Sequence, residues 1–434
     1  MKRIMIITVL LMVTSTLIFA GGGRDRGAPG QTNLMFWDMG WGAADRGETA
    51  VRNLIDRFTR IHPHITVENQ FIPWAGYFDI FMTAIQSGTA PDVSTGGGAQ
   101  VGLYATMGAL INLQPIVDEW RAENNPILND FIPITTELFR FGGELSAFVF
   151  GVDPKFIMYR KDLLEQAGVT RLPTTFDEFA QTLRMVRARF PNQVPLLLAA
   201  ADAGITHNAS IFLFANGAGW ITRDMRPNMQ SREAQESLNF VRMLVNEGLI
   251  SPGAAGHTGS DIERIFMTEG AAFIMSSSLG AVRQAPFFDQ IAILPPIAGP
   301  SASRGFYPVP QNPIMAFSNR NNQSDAARAF IKFFMENSRD YFIEWSHSNF
   351  PPRMSYYEHP FWADSPANMQ LLEHAIFEGL PHWWPYAEPF PAFLQISGER
   401  LFGRALQQVI MGIDPMRAGA EADTAIQNAL DTYN

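Results

Sequence analysis

The chain of 434 residues contains no cysteine. That absence excludes disulfides, Cys-ligated zinc and thiol catalysis together. It also leaves no residue for the lipid that a bacterial lipoprotein signal attaches through cysteine. Charged residues are sparse at 17%, and acids outnumber bases to give a net charge of -10. Nucleic-acid phosphates demand a basic face, so no nucleic-acid partner is expected. Beyond the N-terminal segment no apolar run is long enough to span a bilayer. Gly96-Gly97-Gly98 lacks the spacing and lysine of a phosphate loop, and no G-x-G-x-x-G opens a helix. The eight histidines form no H-E-x-x-H, and His62 and His64 around Pro63 read as a solvated turn. Ser278-Leu279-Gly280 lacks the leading glycine of a nucleophile elbow. No catalytic residue, metal or cofactor is expected.

Hydrophobic residues make up 47% of the chain, enough for a sizeable core, and the length suggests two or three domains. Residues 1–20 read as a secretory signal: Lys2-Arg3, a mainly apolar run from Ile4 to Phe19, and a small-residue site ending at Ala20. A retained membrane anchor is the alternative. Residues 21–30 read as a flexible tether. The expectation is export to the periplasm or medium, with the signal cleaved.

Leu34-Met35-Phe36-Trp37 resembles a buried first strand. Asp45 with Glu48 has the spacing of a capping box. Val51, Leu54, Ile55 and Phe58 then share a helical face. Pro63 stops that helix and Ile65 to Phe71 reads as a second strand, so the opening unit is strand, helix, parallel strand. Tyr77 to Gln86 repeats the helix. In Ser87-Gly88-Thr89-Ala90-Pro91-Asp92-Val93, Gly88 ends it through a left-handed cap and Asp92-Val93 re-enters a strand. Further strands are expected at Phe156–Tyr159, Val194–Ala200, Ala271–Met275 and Ile291–Leu294. Helices are expected at Lys161–Ala167, after the Thr175 and Glu178 cap, through Ala234 to Val245, after a Ser324 cap, and from Glu421 to Tyr433.

The segment "SGTAPDV" is similar to one in the family 1 extracellular solute-binding proteins, the maltose-binding-protein-like sugar receptors of ABC importers. "NLIDRFTRIHPHITVENQ", "GALINLQPIVDE", "FIMYRKDLLEQAGVTRLPTTFDEFAQTLRMV", "ERIFMTEGAAFIMSSS" and "SDAARAFIKFFMENSRDYFIEWSHSNFPPR" resemble its other blocks, in the same order. The resemblance runs from about Leu34 to the end. It implies an α/β fold of two lobes, each a mixed sheet flanked by helices. One lobe would hold residues 31–147 and 309–345, the other 148–308 and 346–434. Hinges would lie near Phe148–Gly151, Tyr307–Pro310 and Ser348–Pro351. The partners implied are a carbohydrate and an ABC permease, with the receptor itself a monomer.

Nine tryptophans are the other distinctive feature. Several stand beside turn residues rather than in periodic runs: Trp37, Trp41, Trp74, Trp220 and the pair Trp383-Trp384. Sugar rings pack C–H faces on indoles and need buried donors and acceptors for their hydroxyls. Carried over position by position, the family's cleft falls on Trp37, Asp38 and Trp41 after the first strand. It then takes Thr95, Gly96 and Gln100 after the PDV turn, Asp153, and Trp220. At Ser276-Ser277-Ser278 many relatives carry a tryptophan, so the wall formed by Ser276 and Ser277 is expected to be smaller and more polar. Trp74, Arg353 and Trp384 complete the candidate set. Removing the Trp220 ring is expected to weaken binding with little loss of stability. Two other readings stay open. A Trp-rich cleft with paired carboxylates also suits a secreted glycoside hydrolase, and a receptor could take a non-sugar solute such as a polyamine or phosphodiester.

Overall fold

The computed structural model describes residues 31–41, 44–74, 76–132, 135, 139–202, 204–268, 270–276, 279–283, 285–319, 321–345, 349–386 and 388–433. The expected signal and tether, and Ser277 and Ser278, lie outside the described residues. Strands run in the order β1 (Thr32–Met39), β2 (Ile65–Ile72), β3 (Val93–Thr95), β4 (Arg140–Phe141), β5 (Glu144–Leu145) and β6 (Phe148–Val152). They continue with β7 (Phe156–Arg160), β8 (Leu196–Leu197), β9 (Phe273–Ser276), β10 (Ile291–Ile293) and β11 (Gln311–Ala316).

Two sheets result. The first has the order β2-β1-β3-β11-β6, the second β10-β7-β9-β8, and β4-β5 form a small hairpin. β1 pairs in parallel with both β2 and β3, whereas β11 enters antiparallel between β3 and β6. The first three strands therefore build a parallel sheet through the helices Ala44–Ile61 and Tyr77–Ser87. Val51, Leu54 and Phe58 are the buried stripe of the first helix. Phe58 meets Phe330 edge-on at 5.1 Å, and Phe330 in turn meets Phe36 of β1 at 5.2 Å. Burying each such ring is worth about 1.5–3 kcal/mol. The second sheet has its own aromatic centre, where Phe176 stacks on Phe240 at 4.1 Å and Phe179 stands edge-on to Phe273 at 5.1 Å.

The PDV turn is structural. Gly88 adopts φ 70°, and the following Thr89 N–H closes the helix onto the Ala84 carbonyl at 2.8 Å. Asp92 then accepts from the Met35 N–H at 2.7 Å and from Asn319 Nδ2 at 2.7 Å, locking β1 to the start of β3. Thr175 caps its helix by accepting from the Glu178 N–H at 3.2 Å. The cap expected from Ser324 is not seen, because Ser324 is the first helical residue and Gln323 precedes the helix. The expected strand Val194–Ala200 shortens to Leu196–Leu197, and the last helix starts at Pro415 rather than Glu421.

Three segments lie side by side between the sheets. The Val152 N–H donates to the Phe350 carbonyl at 2.8 Å and Phe350 returns a bond at 2.7 Å; the Asp153 and Lys155 N–H groups donate to the Pro310 and Pro308 carbonyls, each at 2.9 Å. Phe148–Gly151, expected as a crossing, lies inside β6 of the first sheet, so the chain leaves that sheet only after Val152.

Candidate functional site

A cavity of about 380 Å³ opens where these connecting segments meet the ends of the sheets. That volume lies within the 300–1,000 Å³ usual for small-molecule sites, and the location matches the rule that open α/β sheets bind ligands beyond their strand ends. The first sheet supplies Trp41 and Trp74, which follow β1 and β2, and Gly97-Gly98-Ala99, which follow β3. The connecting segments supply Asp153 and Pro310-Gln311-Asn312, and the opposite wall holds His207, His382, Trp383 and Phe393. Another cavity of about 400 Å³, around Lys161, Arg283 and Phe288, lies wholly on the side of the second sheet.

Trp74 is the exposed ring of the site, at 39%. Its Nε1 donates to the Gly40 carbonyl at 3.0 Å, and its ring meets Trp41 and Tyr77 edge-on at 5.0 and 5.4 Å. The ring lines the cavity. Trp41 is held from behind by Asp38. Its Nε1 donates to Asp38 Oδ1 at 3.2 Å and to Thr95 Oγ1 at 3.3 Å. Thr95 and Tyr341 hydroxyls also donate to Asp38, at 2.5 and 3.0 Å. Burial pushes the Asp38 carboxyl up to about 7, against the pull of those donors.

Asp38 and Thr95, expected to meet ligand, are both 0% exposed and are bonded to the Trp41 indole. Gln100 is also buried, its Oε1 accepting from the Gly97 N–H at 2.7 Å and its Nε2 donating to Tyr104 at 3.1 Å; it shapes the turn that Gly96 begins. Gly98, inside the helix Gly98–Thr106, must be glycine, since a Cβ there would sit 2.6 Å from the Gln311 carbonyl oxygen.

Other expectations move further. Trp37 packs edge-on against Phe81 at 5.1 Å. Trp220 is 0% exposed, sandwiched near-parallel to Phe402 at 5.0 Å and Phe393 at 5.7 Å, with its Nε1 donating to the His382 carbonyl at 2.7 Å. It supports the wall from behind instead of lining it. Arg353 is bound in an ion pair to Asp130 at 2.7 Å and donates to the Glu336 carbonyl at 2.9 Å, away from the cavity. Trp384 turns to Phe214 at 5.4 Å, and its neighbour Trp383 lines the cavity in its place. Ser276 ends β9, at the Phe156 pairing position.

Four polar atoms on cavity-lining residues are buried without a hydrogen-bond partner among the described residues: Asp153 Oδ1, Trp383 Nε1, and both Gln311 Nε2 and Oε1. Leaving such atoms unpaired costs about 1–3 kcal/mol each. The other Asp153 oxygen meets Lys155 Nζ at 2.5 Å, and burial still raises the Asp153 carboxyl above its ordinary value. His207 Nδ1 lies 3.3 Å from His382 Nε2. Burial first, then the nearby Lys155 ammonium, pushes both rings down, His382 to about 3, so the pair is neutral at pH 7. The wall thus offers two donors, two acceptors and an exposed indole. Gln311, His207 and His382 carry no sequence motif, and only their placement with Trp383 around one cavity reveals them.

A sequence model of the bacterial extracellular solute-binding proteins matches residues 43–338. A protein of Brucella abortus described only as a binding protein is 22% identical over 350 residues, which span 76% of this chain and 80% of that one. The maltotriose-binding protein of Pyrococcus abyssi is 26% identical over 259 residues, 58% of this chain and 52% of its own. Among solved structures, a sugar transporter from Arthrobacter chlorophenolicus with bound laminaribiose matches with a TM-score of 0.81 at 22% identity, covering 91% of this chain and 99% of that one. No described helix is long and apolar enough to cross a membrane, and no group of three or more potential metal ligands occurs among the described residues.

Proposed function

The chain belongs to the bacterial extracellular solute-binding protein family, and from that premise we propose that it captures a carbohydrate between its two lobes and delivers it to an ABC transporter permease. One observation carries the sugar reading. An exposed indole, Trp74, shares a cavity with buried polar atoms that have no partner among the described residues. A polyol supplies both what the indole packs on and what those atoms need. Relatives named for maltotriose binding or holding laminaribiose support the same class.

The three connecting segments serve as the hinge, and residues beyond Val152 and before Gln311 form the bulk of the second lobe. Ligand touches both walls only when they are close, so binding shifts an open–closed equilibrium toward closed. The chain acts outside the cytoplasm, its first 20 residues serving as a cleaved signal, and it binds as a monomer without altering the sugar. A glycoside hydrolase would need two carboxyl groups flanking a glycosidic bond. Asp153 is the one carboxylate among the described lining residues.

A thermal-shift screen against mono- and oligosaccharides tests the proposal. A ligand bound only by the folded state at 100 times its Kd adds about 2.7 kcal/mol and raises Tm. Stabilisation by a polyamine or a phosphodiester, with none by any sugar, would overturn it.

A further inference from the structure

On the other side of His207 from the chamber lies a smaller annexe of about 60 Å³, walled by Lys155, Ala199, Asn208, Glu263 and Met275. His207 lines both spaces, and Lys155 of the annexe is bonded to Asp153 of the chamber. A single water needs roughly 10–15 Å³ of this kind of space, so the annexe accepts a small polar substituent and excludes a sugar ring.

The charges of the annexe are mostly committed. Lys155 is neutralised by Asp153. Asp202, nearby, spends its two oxygens on the Gly204 and Gly259 N–H groups, each at 2.8 Å, at the starts of the helices Gly204–Ala215 and Gly259–Thr268. Asn208 Nδ2 donates to the Ala199 carbonyl at 2.7 Å. Glu263 alone among the lining polar side chains has no hydrogen-bond or ion-pair partner among the described residues. Burial, and secondarily Asp202, holds its carboxyl up to about 7.

We infer that the annexe is a subsite for a hydroxyl-bearing side group of the bound sugar, such as an exocyclic hydroxymethyl, and that Glu263 is the acceptor for its hydroxyl. The size admits one carbon and one oxygen beyond the ring. A hydroxyl, being uncharged, pays little desolvation on entering such a space. A hydroxyl held by a half-buried acceptor in so narrow a space discriminates, because the analogue lacking it leaves that bond unmade.

The inference rests on the carbohydrate reading, and one titration experiment separates the two. Calorimetry on the full chain would use glucose with xylose and cellobiose with xylobiose, pairs that differ by one hydroxymethyl group per ring, across wild type, Glu263→Ala and Glu263→Gln. The expected result is a preference of at least about tenfold for the hydroxymethyl-bearing member. Glu263→Gln, which keeps an acceptor oxygen, should retain most of that preference, and Glu263→Ala should lose it without weakening the other member. Equal wild-type affinity within a pair, a preference for the member without the group, or equal weakening of both by Glu263→Ala would overturn the subsite while leaving the sugar reading standing. Heat from none of the four sugars, together with no stabilisation by any sugar in the wider screen, would overturn both.

Discussion

Asp38→Asn is expected to remove a large pH dependence from the folding stability. Moving a carboxyl from 3.8 to about 7 on folding corresponds to about 4 kcal/mol, at roughly 1.4 kcal/mol per pH unit. The sign follows from proton binding. Between those values the folded state holds a proton that the unfolded state has released, so stability falls as pH rises. The contribution is fully present below the unfolded value of 3.8 and is lost as pH passes through about 7. Asparagine keeps an acceptor oxygen for Thr95 and Trp41 and cannot ionise, and the Tyr341 hydroxyl can rotate to accept from its amide. Urea unfolding of wild type and Asp38→Asn at a series of pH values from about 4 to about 8 measures the difference curve. That curve should tilt against wild type by about 4 kcal/mol across the range, with Trp41 fluorescence changing over the same interval because Asp38 holds its indole. Parallel stability profiles for the two proteins would refute the buried-carboxyl argument.

Three further substitutions separate the cavity's lining from its support. Trp74→Ala should weaken sugar binding by about thirtyfold, or about 2 kcal/mol, with little change in Tm, as calorimetry and a melting scan would show, since the ring is 39% exposed. Trp220→Ala should cost about 3–5 kcal/mol of stability in a denaturant titration, since it empties the stack between Phe393 and Phe402. Gln311→Leu should reduce affinity while leaving stability unchanged or improved, because it removes two buried atoms that have no partner among the described residues; a loss of stability would mean that they are satisfied in solution.

Much of the architecture was legible because it is locally encoded. The Val51-Leu54-Phe58 stripe, the Gly88 cap and the Thr175 cap are near-neighbour signals, and each element they predict is present. β11 was missed because its partners, β3 and β6, lie far away in the sequence and its own run contains Asn312 and Pro313. The site was harder to read. A tryptophan beside turn residues can face a cavity, as Trp74 does, or a stack of phenylalanines, as Trp220 does, and composition around it is the same. Trp383 and Trp384 are adjacent yet pack on different groups, Phe393 and Phe214. Asp38 was read as a ligand group by carry-over from the family resemblance; Tyr341, 303 positions away, is one of the donors that occupy it.

Small-angle X-ray scattering of the full chain with and without a saturating sugar identified by the thermal screen tests the account most directly. The radius of gyration should fall on binding, and chromatography of the same sample should return the sugar unchanged. An unaltered scattering profile at saturation, or a cleaved product in the eluate, would contradict it.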